Sequence, residues 1–237
     1  MYYIKYKMEL SNTIIGPTAT NIVELESHNL NGSSAELHVK TPIKSSVELL
    51  GDLFNKYGSD KDRNGYTVLY QSLFKNLRQQ PIDLLEIGIG TMLPDVHYSM
   101  HDYALPGYKP GGSLRAWRDY FPNGNIIGCD IQPDTQFSED RIVTYLADST
   151  KKEDLDYVLG NKMFDIILDD GDHWEINQLK TLKNLWHRLK PNGYYIIEDL
   201  QDWNRIGTEF KPEIREFIGE GPDMYLTEKR NIFVISK

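Results

Sequence analysis

Two short apolar runs in this chain each end in a cluster of residues that could do chemistry. Residues 164–168 and 193–197 are the two runs. The residues that follow them are Asp169, Asp170, Asp172 and His173 after the first run, and Glu198 and Asp199 after the second. Runs of this length are typical of buried parallel strands, whose carboxyl ends line the crevice where open α/β sheets bind ligands. We therefore expect the two clusters to meet at one edge of a sheet.

The chemistry that suits such a cluster is metal-assisted proton transfer. Crowded carboxylates repel one another unless a cation or a shared proton relieves the repulsion. Carboxylate oxygens favour hard ions, with Mg²⁺ ahead of Mn²⁺ or Ca²⁺, over zinc. A neutral His173 could take up a proton, because the reference pKa of histidine is about 6.5. Structural alternatives stay open: Asp172 caps the following helix, Asp169 binds backbone amides, and His173 only begins that helix.

Composition restricts the class of protein. The chain has 237 residues, 40% of them hydrophobic, which fits one α/β domain with appendages. Its formal net charge of -9 argues against a nucleic-acid partner, because phosphate binding needs a basic face. No apolar stretch approaches the roughly 20 residues that span a bilayer, and no signal-peptide pattern opens the chain. The one cysteine, Cys129, cannot form an internal disulfide, so we expect a cytoplasmic enzyme without a membrane partner.

The pattern of apolar residues divides the chain into two parts. Residues 1–44 alternate weakly and predict a small β-rich extension, with a tail or an oligomer contact as alternatives. Within 45–237, strands and helices alternate, which predicts a Rossmann-like, doubly wound, mainly parallel α/β sheet. Helical spacing from residue 45 predicts a first helix that ends at 57–60. The further predicted helices are 67–77, 113–120, 154–159 and 174–189, and the predicted strands are 82–86, 125–130, 142–146, 164–168 and 193–197. An antiparallel C-terminal hairpin, formed by 223–226 and 231–236, completes the order of a class I methyltransferase domain.

The first predicted strand leads into a turn that suits a nucleotide. Glu86 precedes Gly88 and Gly90, and glycine permits a close approach that a side chain would block. The dinucleotide fingerprint needs a third glycine that opens a helix at once, so NAD binding is disfavoured. An acid before the glycines instead resembles the S-adenosylmethionine loop. Asp130 and Asp148 end the next two strands, near where ribose and adenine would lie, although a helix cap or a turn explains either acid alone.

Six segments in order resemble one family of enzymes. They are residues 57–61, 66–67, 85–88, 111–117, 165–173 and 197–200. Together they resemble the metal-dependent macrolide-sugar O-methyltransferases of the mycinamicin and demethylmacrocin type. The resemblance implies His173 as the general base and Mg²⁺, or Mn²⁺, bound by Asp170, Glu198 and Asp199. It implies an S-adenosylmethionine site formed by Glu86, Gly88, Gly90, Ser113, Asp130, Asp148 and Asp169. The family often has serine at the position of Asp172, which here places a charge beside the base.

The implied function is metal-dependent methyl transfer from S-adenosylmethionine to a hydroxyl of a sugar or natural-product acceptor. We expect a small-molecule acceptor and a homo-oligomer. A cephalosporin-hydroxylase-like oxygenase and a catalytically silent binding protein with the cofactor fold are the alternatives. A facial iron site needs two histidines and one carboxylate, and the acidic cluster contains one histidine. The long insertion 91–110 is either a lid over the cofactor or a surface loop that packs its own tyrosines.

Overall fold

The computed structural model describes residues 49–104, 107–201, 209–227 and 231–237. The predicted extension of residues 1–44 lies outside these ranges and stays a prediction. Within them, no helix has both the length and the apolar character needed to cross a membrane.

One eight-stranded sheet organises the described residues. Its strands are β1 Asp83–Ile87, β2 Asn125–Asp130, β3 Ser138–Glu139, β4 Ile142–Leu146, β5 Phe164–Asp169, β6 Leu189–Ile197, β7 Asp223–Thr227 and β8 Ile232–Ser236. The order across the sheet is β3-β4-β2-β1-β5-β6-β8-β7. The five strands from β4 to β6 in this order are parallel, whereas β3, β8 and β7 pair antiparallel with their neighbours. The predicted fold class and its C-terminal hairpin are confirmed.

Six α-helices in the described ranges pack on the two faces of this sheet. They are α1 Leu50–Lys56, α2 Thr67–Phe74, α3 Gly112–Tyr120, α4 Lys152–Leu159, α5 Glu175–Leu185 and α6 Lys211–Ile218. Helices α1 to α3 share one buried cluster with Leu84 of β1, and α4 to α6 share a second cluster with Leu85. Because successive side chains of a strand point to opposite faces, the helices cover both faces and the sheet is doubly wound.

A cluster of aromatic side chains holds α1, α2 and α3 together on one face of the sheet. The ring of Trp117 on α3 lies edge-on to Phe54, Tyr70 and Phe74, at centroid distances of 5.0, 5.2 and 5.9 Å. All four side chains are fully buried. Large aromatic rings in such edge-to-face contacts contribute beyond their area burial, so these helices form a rigid base under β1.

The register of the parallel strands brings their carboxyl ends to one edge. Ile87 pairs with Cys129 on β2 and with Asp169 on β5, and Asp169 pairs with Ile197 on β6. The turn after β1 and the acids after β5 and β6 therefore lie side by side. Cys129 itself is buried, and burial raises the pKa of its thiol to about 12.

Two predicted helices are longer than the observed ones. The helix predicted over 174–189 ends at Leu185, and Leu189 already begins β6. The helix predicted over 67–77 ends at Phe74. In both cases apolar residues continue at helical spacing past the end of the helix, so periodicity alone cannot locate that end. Helix α6 and the two-residue strand β3 were not predicted.

Candidate active site

A cavity of about 560 Å³ opens at the carboxyl ends of the parallel strands. This is the crevice where open α/β sheets bind ligands. The predicted site residues that line it are Gly88, Gly90, Asp130, Asp148, Asp169, Asp170, His173, Glu198 and Asp199. The other two predicted residues, Glu86 and Ser113, are buried and do not line the cavity.

Lys61, in the segment between α1 and α2, places a buried ammonium among the acids. Its Nζ donates to Oδ2 of Asp170 at 2.6 Å and to the two oxygens of Glu198 at 2.9 and 2.8 Å. Oε1 of Glu86 lies 3.3 Å from the same nitrogen. Burial lowers the pKa of Lys61, but the three carboxylates outweigh this effect and hold the pKa well above its usual value. Lys61 is therefore a permanent cation inside the site.

Two tyrosines at the start of α2 bind the acids that follow β6. The hydroxyl of Tyr66 donates to Oδ1 of Asp199, and that of Tyr70 donates to Oε1 of Glu198. Residues four apart share one face of a helix, so a single helix end positions both donors. Burial, followed by the neighbouring carboxylates, raises the pKa of both tyrosines. Both hydroxyls therefore stay protonated and hold their acceptors in place.

His173 lies on the wall of the cavity between two of the acids. Its Nε2 is 3.3 Å from Oδ1 of Asp170 and 3.7 Å from Oδ2 of Asp199. Burial lowers the pKa of His173, but Asp170 and then Asp199 outweigh it and raise the pKa above its usual value. The ring of Tyr98 covers the imidazole at a centroid distance of 4.5 Å. A histidine so placed can accept a proton from a group in the cavity, because both carboxylates stabilise the resulting imidazolium.

Three side chains bring possible metal ligands together. One ligand atom each from Asp170, His173 and Asp199 lies within 4.8 Å of the other two. The predicted set differs by containing Glu198 in place of His173. Glu198 also lines the cavity, but Lys61 and Tyr70 already donate to its oxygens. The oxygens of Asp170 and Asp199 are hard donors of the type that Mg²⁺ prefers.

The buried side chain of Glu86 supports the turn that follows β1. Its Oε2 accepts a hydrogen bond of 3.0 Å from Nε1 of Trp117, and the side chain of Ser113 also bonds to it. The carboxylate is fully buried, and burial raises its pKa. The structure thus ties Glu86 and Ser113 to the aromatic base of the fold.

The two glycines of this turn have left-handed backbones, with φ of +82° at Gly88 and +78° at Gly90. A Cβ atom on Gly88 would lie 1.9 Å from the backbone oxygen of Asp170, so only glycine permits this approach of β1 to the acids. A Cβ atom on Gly90 would lie 2.1 Å from the hydroxyl oxygen of Tyr108. Gly90 therefore makes room for a side chain of the insertion.

Asp130 and Asp148 each bind backbone amides at the rim of the cavity. Asp130 accepts from the amide of Ile89 and the amide of Gln132, both at 2.8 Å. Asp148 accepts from the amide of Thr150 at 3.0 Å and from its hydroxyl at 2.6 Å. Burial raises the pKa of Asp148, but the Thr150 bonds outweigh it and lower the pKa. Both acids thus fix the loops that surround the predicted ribose and adenine positions.

Asp169 and Asp172, the acids nearest to Asp170 in the sequence, have separate roles. Burial raises the pKa of Asp169 to about 8. One of its oxygens bonds to the amide of Gly171, and Oδ2 has no hydrogen-bond partner among the described residues. Asp172 accepts a 3.1 Å bond from the amide of Trp174, the residue before α5. Asp172 thus stabilises the turn before α5, but the N-cap residue of this helix is Trp174 and has no side-chain cap, so the alternative that Asp172 caps the helix is wrong.

The described parts of the insertion, 91–104 and 107–110, place tyrosines both on the wall of the cavity and against the domain, and the lid over the cofactor stays a prediction. Tyr98 and Tyr103 line the cavity, and the hydroxyl of Tyr98 accepts a 3.0 Å bond from Nε2 of Gln201. Tyr108 instead packs against the turn after β1, where its hydroxyl donates to the backbone oxygen of Gly90 at 3.2 Å. One part of the insertion thus lines the cavity, and another part packs a tyrosine against the domain.

Several curated proteins resemble this chain in sequence. One is the 8-demethyl-8-(2-methoxy-α-L-rhamnosyl)-tetracenomycin-C 3'-O-methyltransferase of Streptomyces olivaceus, which is 37% identical to this chain over 154 residues. The match covers 64% of this chain and 36% of that protein. Mycinamicin VI 2''-O-methyltransferase of Micromonospora griseorubida is 32% identical over 169 residues, or 69% of this chain and 39% of that protein. These sugar O-methyltransferases are homologues of the chain. The predicted resemblance is confirmed, although no protein-family model matches the chain.

The homology extends to a solved structure. The MycE methyltransferase from the mycinamycin biosynthetic pathway, in complex with Mg and SAH, superposes with a TM-score of 0.64 at 26% identity. The match covers 79% of this chain and 54% of that one. The chain spans between 35% and 49% of the length of the curated relatives that it matches. The resemblance therefore concerns the methyltransferase fold described above and less than half of each curated relative.

Lys61, Tyr66 and Tyr70 were not predicted as site residues, although they bind the acids directly. Lys61 follows an acid and precedes another, which is typical of a solvated turn. The useful signals were the inclusion of Lys61 and Tyr66 in segments that resemble the family, and the spacing of four between the tyrosines. Both signals acquire a meaning only once the fold brings α2 against β6.

Proposed function

We propose that this chain transfers a methyl group from S-adenosylmethionine to a hydroxyl of a glycosylated small molecule, with Mg²⁺ as the metal. The observation that carries this proposal is the position of His173, which faces Asp170 and Asp199 on the wall of a strand-end cavity. The homologues act as sugar O-methyltransferases, and MycE was solved with Mg and SAH. Because the chain matches less than half of each of these curated relatives, its activity and its substrate are proposals.

The cavity fits the proposed cofactor. Its volume of about 560 Å³ lies in the usual range for small-molecule sites, which is roughly 300–1,000 Å³. Gly88 brings the backbone close to the acids, as a cofactor loop must. The unpartnered oxygen of Asp169 is an acceptor suited to the ammonium group of the cofactor. The other residues proposed for the cofactor site are Gly90, Asp130 and Asp148, which line the cavity, and Glu86 and Ser113, which are buried and support the turn that carries Gly88.

The donor set also fits the proposed ion. We assign Asp170, Glu198 and Asp199 as the ligands of Mg²⁺, since carboxylate oxygens are its preferred protein donors. The ion would supply Lewis-acid chemistry that lowers the pKa of the acceptor hydroxyl. An iron oxygenase is disfavoured, because the metal-binding group of the described residues contains one histidine and two carboxylates.

His173 is the proposed general base. In methyl transfer to an alcohol, the acceptor oxygen would attack the methyl carbon while the bond from that carbon to the sulfonium sulfur breaks, and the oxygen would lose its proton, which leaves S-adenosylhomocysteine. The imidazole is within hydrogen-bond reach of the acids and borders the cavity, so it can take that proton. Asp170 and Asp199 stabilise the imidazolium that forms, and Tyr98 restricts the ring to this position.

The lining of the cavity favours an acceptor without negative charge. Eight of its lining residues are acidic, and none of the lining residues that the structure describes is lysine or arginine. Such a cavity attracts the sulfonium cofactor and the metal ion, and repels a phosphorylated or carboxylated acceptor. The exposed tyrosines Tyr98 and Tyr103 at its mouth offer aromatic surfaces to a neutral sugar.

Calorimetric titration of S-adenosylhomocysteine into chelator-treated protein tests the proposal, with Mg²⁺ and a neutral glycosylated acceptor added in turn. Binding of S-adenosylhomocysteine, followed by acceptor binding that requires Mg²⁺, is the expected result. If S-adenosylhomocysteine does not bind under any of these conditions, the proposal is refuted. The variant His173→Ala should bind S-adenosylhomocysteine normally and lose methyl transfer by about 10²–10⁴-fold. His187→Ala is the matched control, because His187 is exposed and lies outside the cavity lining.

A further inference from the structure

Lys61 is a fully buried lysine whose ammonium contacts three carboxylates. Only 2% of its side chain is exposed, and its partners Glu86 and Glu198 are no more than 1% exposed. A charge so deeply buried persists only when it is paired and hydrogen-bonded. The contacts at 2.6 to 2.9 Å with Asp170 and Glu198 satisfy this requirement.

The contacts of Lys61 determine which oxygens face the cavity. Oδ2 of Asp170 accepts a hydrogen bond from Lys61, and the other oxygen, Oδ1, faces His173. Glu198 is held by Lys61 from one side and by Tyr70 at Oε1. The ammonium therefore fixes the rotation of two carboxylates at once. Groups that bond to metal ligands in this way commonly orient them, and their loss weakens metal binding by about 10–100-fold.

The charge balance also needs Lys61. Four carboxylates lie within this cluster, those of Glu86, Asp170, Glu198 and Asp199, and Lys61 is the buried ammonium that contacts three of them. Like charges at this separation repel strongly when they are removed from water. Without the ammonium, Asp170 and Glu198 would have to take up a proton, move apart or rotate.

We propose that Lys61 is a positioning residue of the metal site, which holds the carboxylates of Asp170 and Glu198 in the orientation that they need to bind a divalent cation. This inference rests on the proposed function, because it concerns the same ion. Lys61 itself is not among the residues that line the cavity, and it acts through Asp170 and Glu198, which are.

The decisive variant removes Lys61 and keeps the net charge of the cluster. Lys61→Met/Glu86→Gln deletes one positive and one negative charge and leaves all three proposed ligands intact. Glu86→Gln alone measures the effect of the second change. Asp199→Asn establishes that the ion binds at this site, and Lys183→Met removes a lysine that pairs with Glu213 on the surface. Binding of Mn²⁺, as a probe for Mg²⁺, is measured by electron paramagnetic resonance, with folding checked by circular dichroism.

We expect the double variant to bind Mn²⁺ about 10–100-fold more weakly than the parent protein, and Glu86→Gln alone to lose much less. Lys183→Met should bind as the parent does. If the double variant binds within twofold of the parent, or no more weakly than Glu86→Gln alone, the role of Lys61 is refuted. If the parent binds no Mn²⁺, or Asp199→Asn loses nothing, the metal site of the proposed function fails instead.

A second variant keeps the test available if the methionine variant does not fold. In Lys61→Gln/Glu86→Gln, the side-chain amide at position 61 ends one carbon short of the ammonium and cannot reach both carboxylates. The same loss of at least about tenfold in Mn²⁺ affinity is expected. Affinity equal to that of the parent would again refute the positioning role.

Discussion

The variant Trp117→Phe tests whether the core and the predicted cofactor turn are one structural unit. Trp117 packs edge-on against Phe54, Tyr70 and Phe74 and donates its indole N–H to Oε2 of Glu86 at 3.0 Å. Phenylalanine keeps an aromatic ring in the core but removes this donor. The substitution therefore loses one hydrogen bond to a buried carboxylate together with part of the ring volume.

The magnitude follows from these two losses. A hydrogen bond to a charged group contributes about 1.5–3 kcal/mol, and the donor here serves a fully buried carboxylate. The smaller ring removes roughly two methylene equivalents of buried surface, at about 0.8 kcal/mol each. The sum is about 3–5 kcal/mol, and Lys61 and Ser113 still contact Glu86, which favours the lower half of this range. At roughly 2–4 °C per kcal/mol, Tm should fall by about 6–16 °C.

Calorimetric melting of the parent, Trp117→Phe and Trp174→Phe measures this prediction. Trp174 is the matched control, because 60% of its surface is exposed and its replacement should change stability by less than about 0.5 kcal/mol. A double-mutant cycle with Glu86→Met isolates the bond itself, with an expected coupling of about 1.5–3 kcal/mol. Strict additivity of the two variants would refute the claim that the indole supports the carboxylate.

Three further predictions concern the turn, the acid stability and the thiol. Gly88→Ala should lower Tm by much more than Gly219→Ala does. Both glycines have left-handed backbones, but only a Cβ at position 88 would clash, since it would lie 1.9 Å from a backbone oxygen. Equal losses of Tm in melting experiments would contradict this prediction. Burial raises the pKa of Asp119, but bonds from Tyr57 and a neighbouring arginine outweigh it and lower the pKa. The carboxylate thus stabilises the fold above its unfolded pKa, and this contribution is lost as pH falls through the lower folded pKa. Asp119→Asn should therefore lower Tm at about pH 7, and the difference from the parent should shrink as the solution is acidified, as pH-dependent melting would test. Cys129, with its pKa near 12, should resist alkylation by iodoacetamide in the native protein and react after denaturation; similar rates, followed by mass spectrometry, would argue against its burial.

The sequence was sufficient to predict the fold class and the strand ends because those depend on local patterns. The apolar runs before Asp130 and Asp169 are short and bounded by turn residues, and β2 matches its predicted range of residues 125–130. Parallel strands place their carboxyl ends at one edge, so the acids after β5 and β6 were expected to meet. Most of the predicted site residues do line one cavity for this reason.

The partners of the acids could not be predicted, because they come from segments far away in the chain. Lys61 is 137 positions from Glu198, and nothing in its local sequence distinguishes it from a solvated lysine. The same limit applies to Tyr66, which precedes Asp199 by 133 positions. The role of Glu86 beneath the turn also depends on tertiary packing, since its donor Trp117 lies on α3.

These distant partners give chemically alike groups different properties. Asp169 and Asp170 are consecutive, so their side chains leave the end of β5 in different directions. Asp170 meets Lys61 and His173, which outweigh the effect of burial and lower its pKa, whereas burial raises the pKa of Asp169 to about 8. One carboxyl is thereby kept ionised, as a cation ligand must be, and the other retains an unpartnered oxygen beside it. The strand ends supply the acids, but the segment that carries Lys61 and α2 determines what each acid can do.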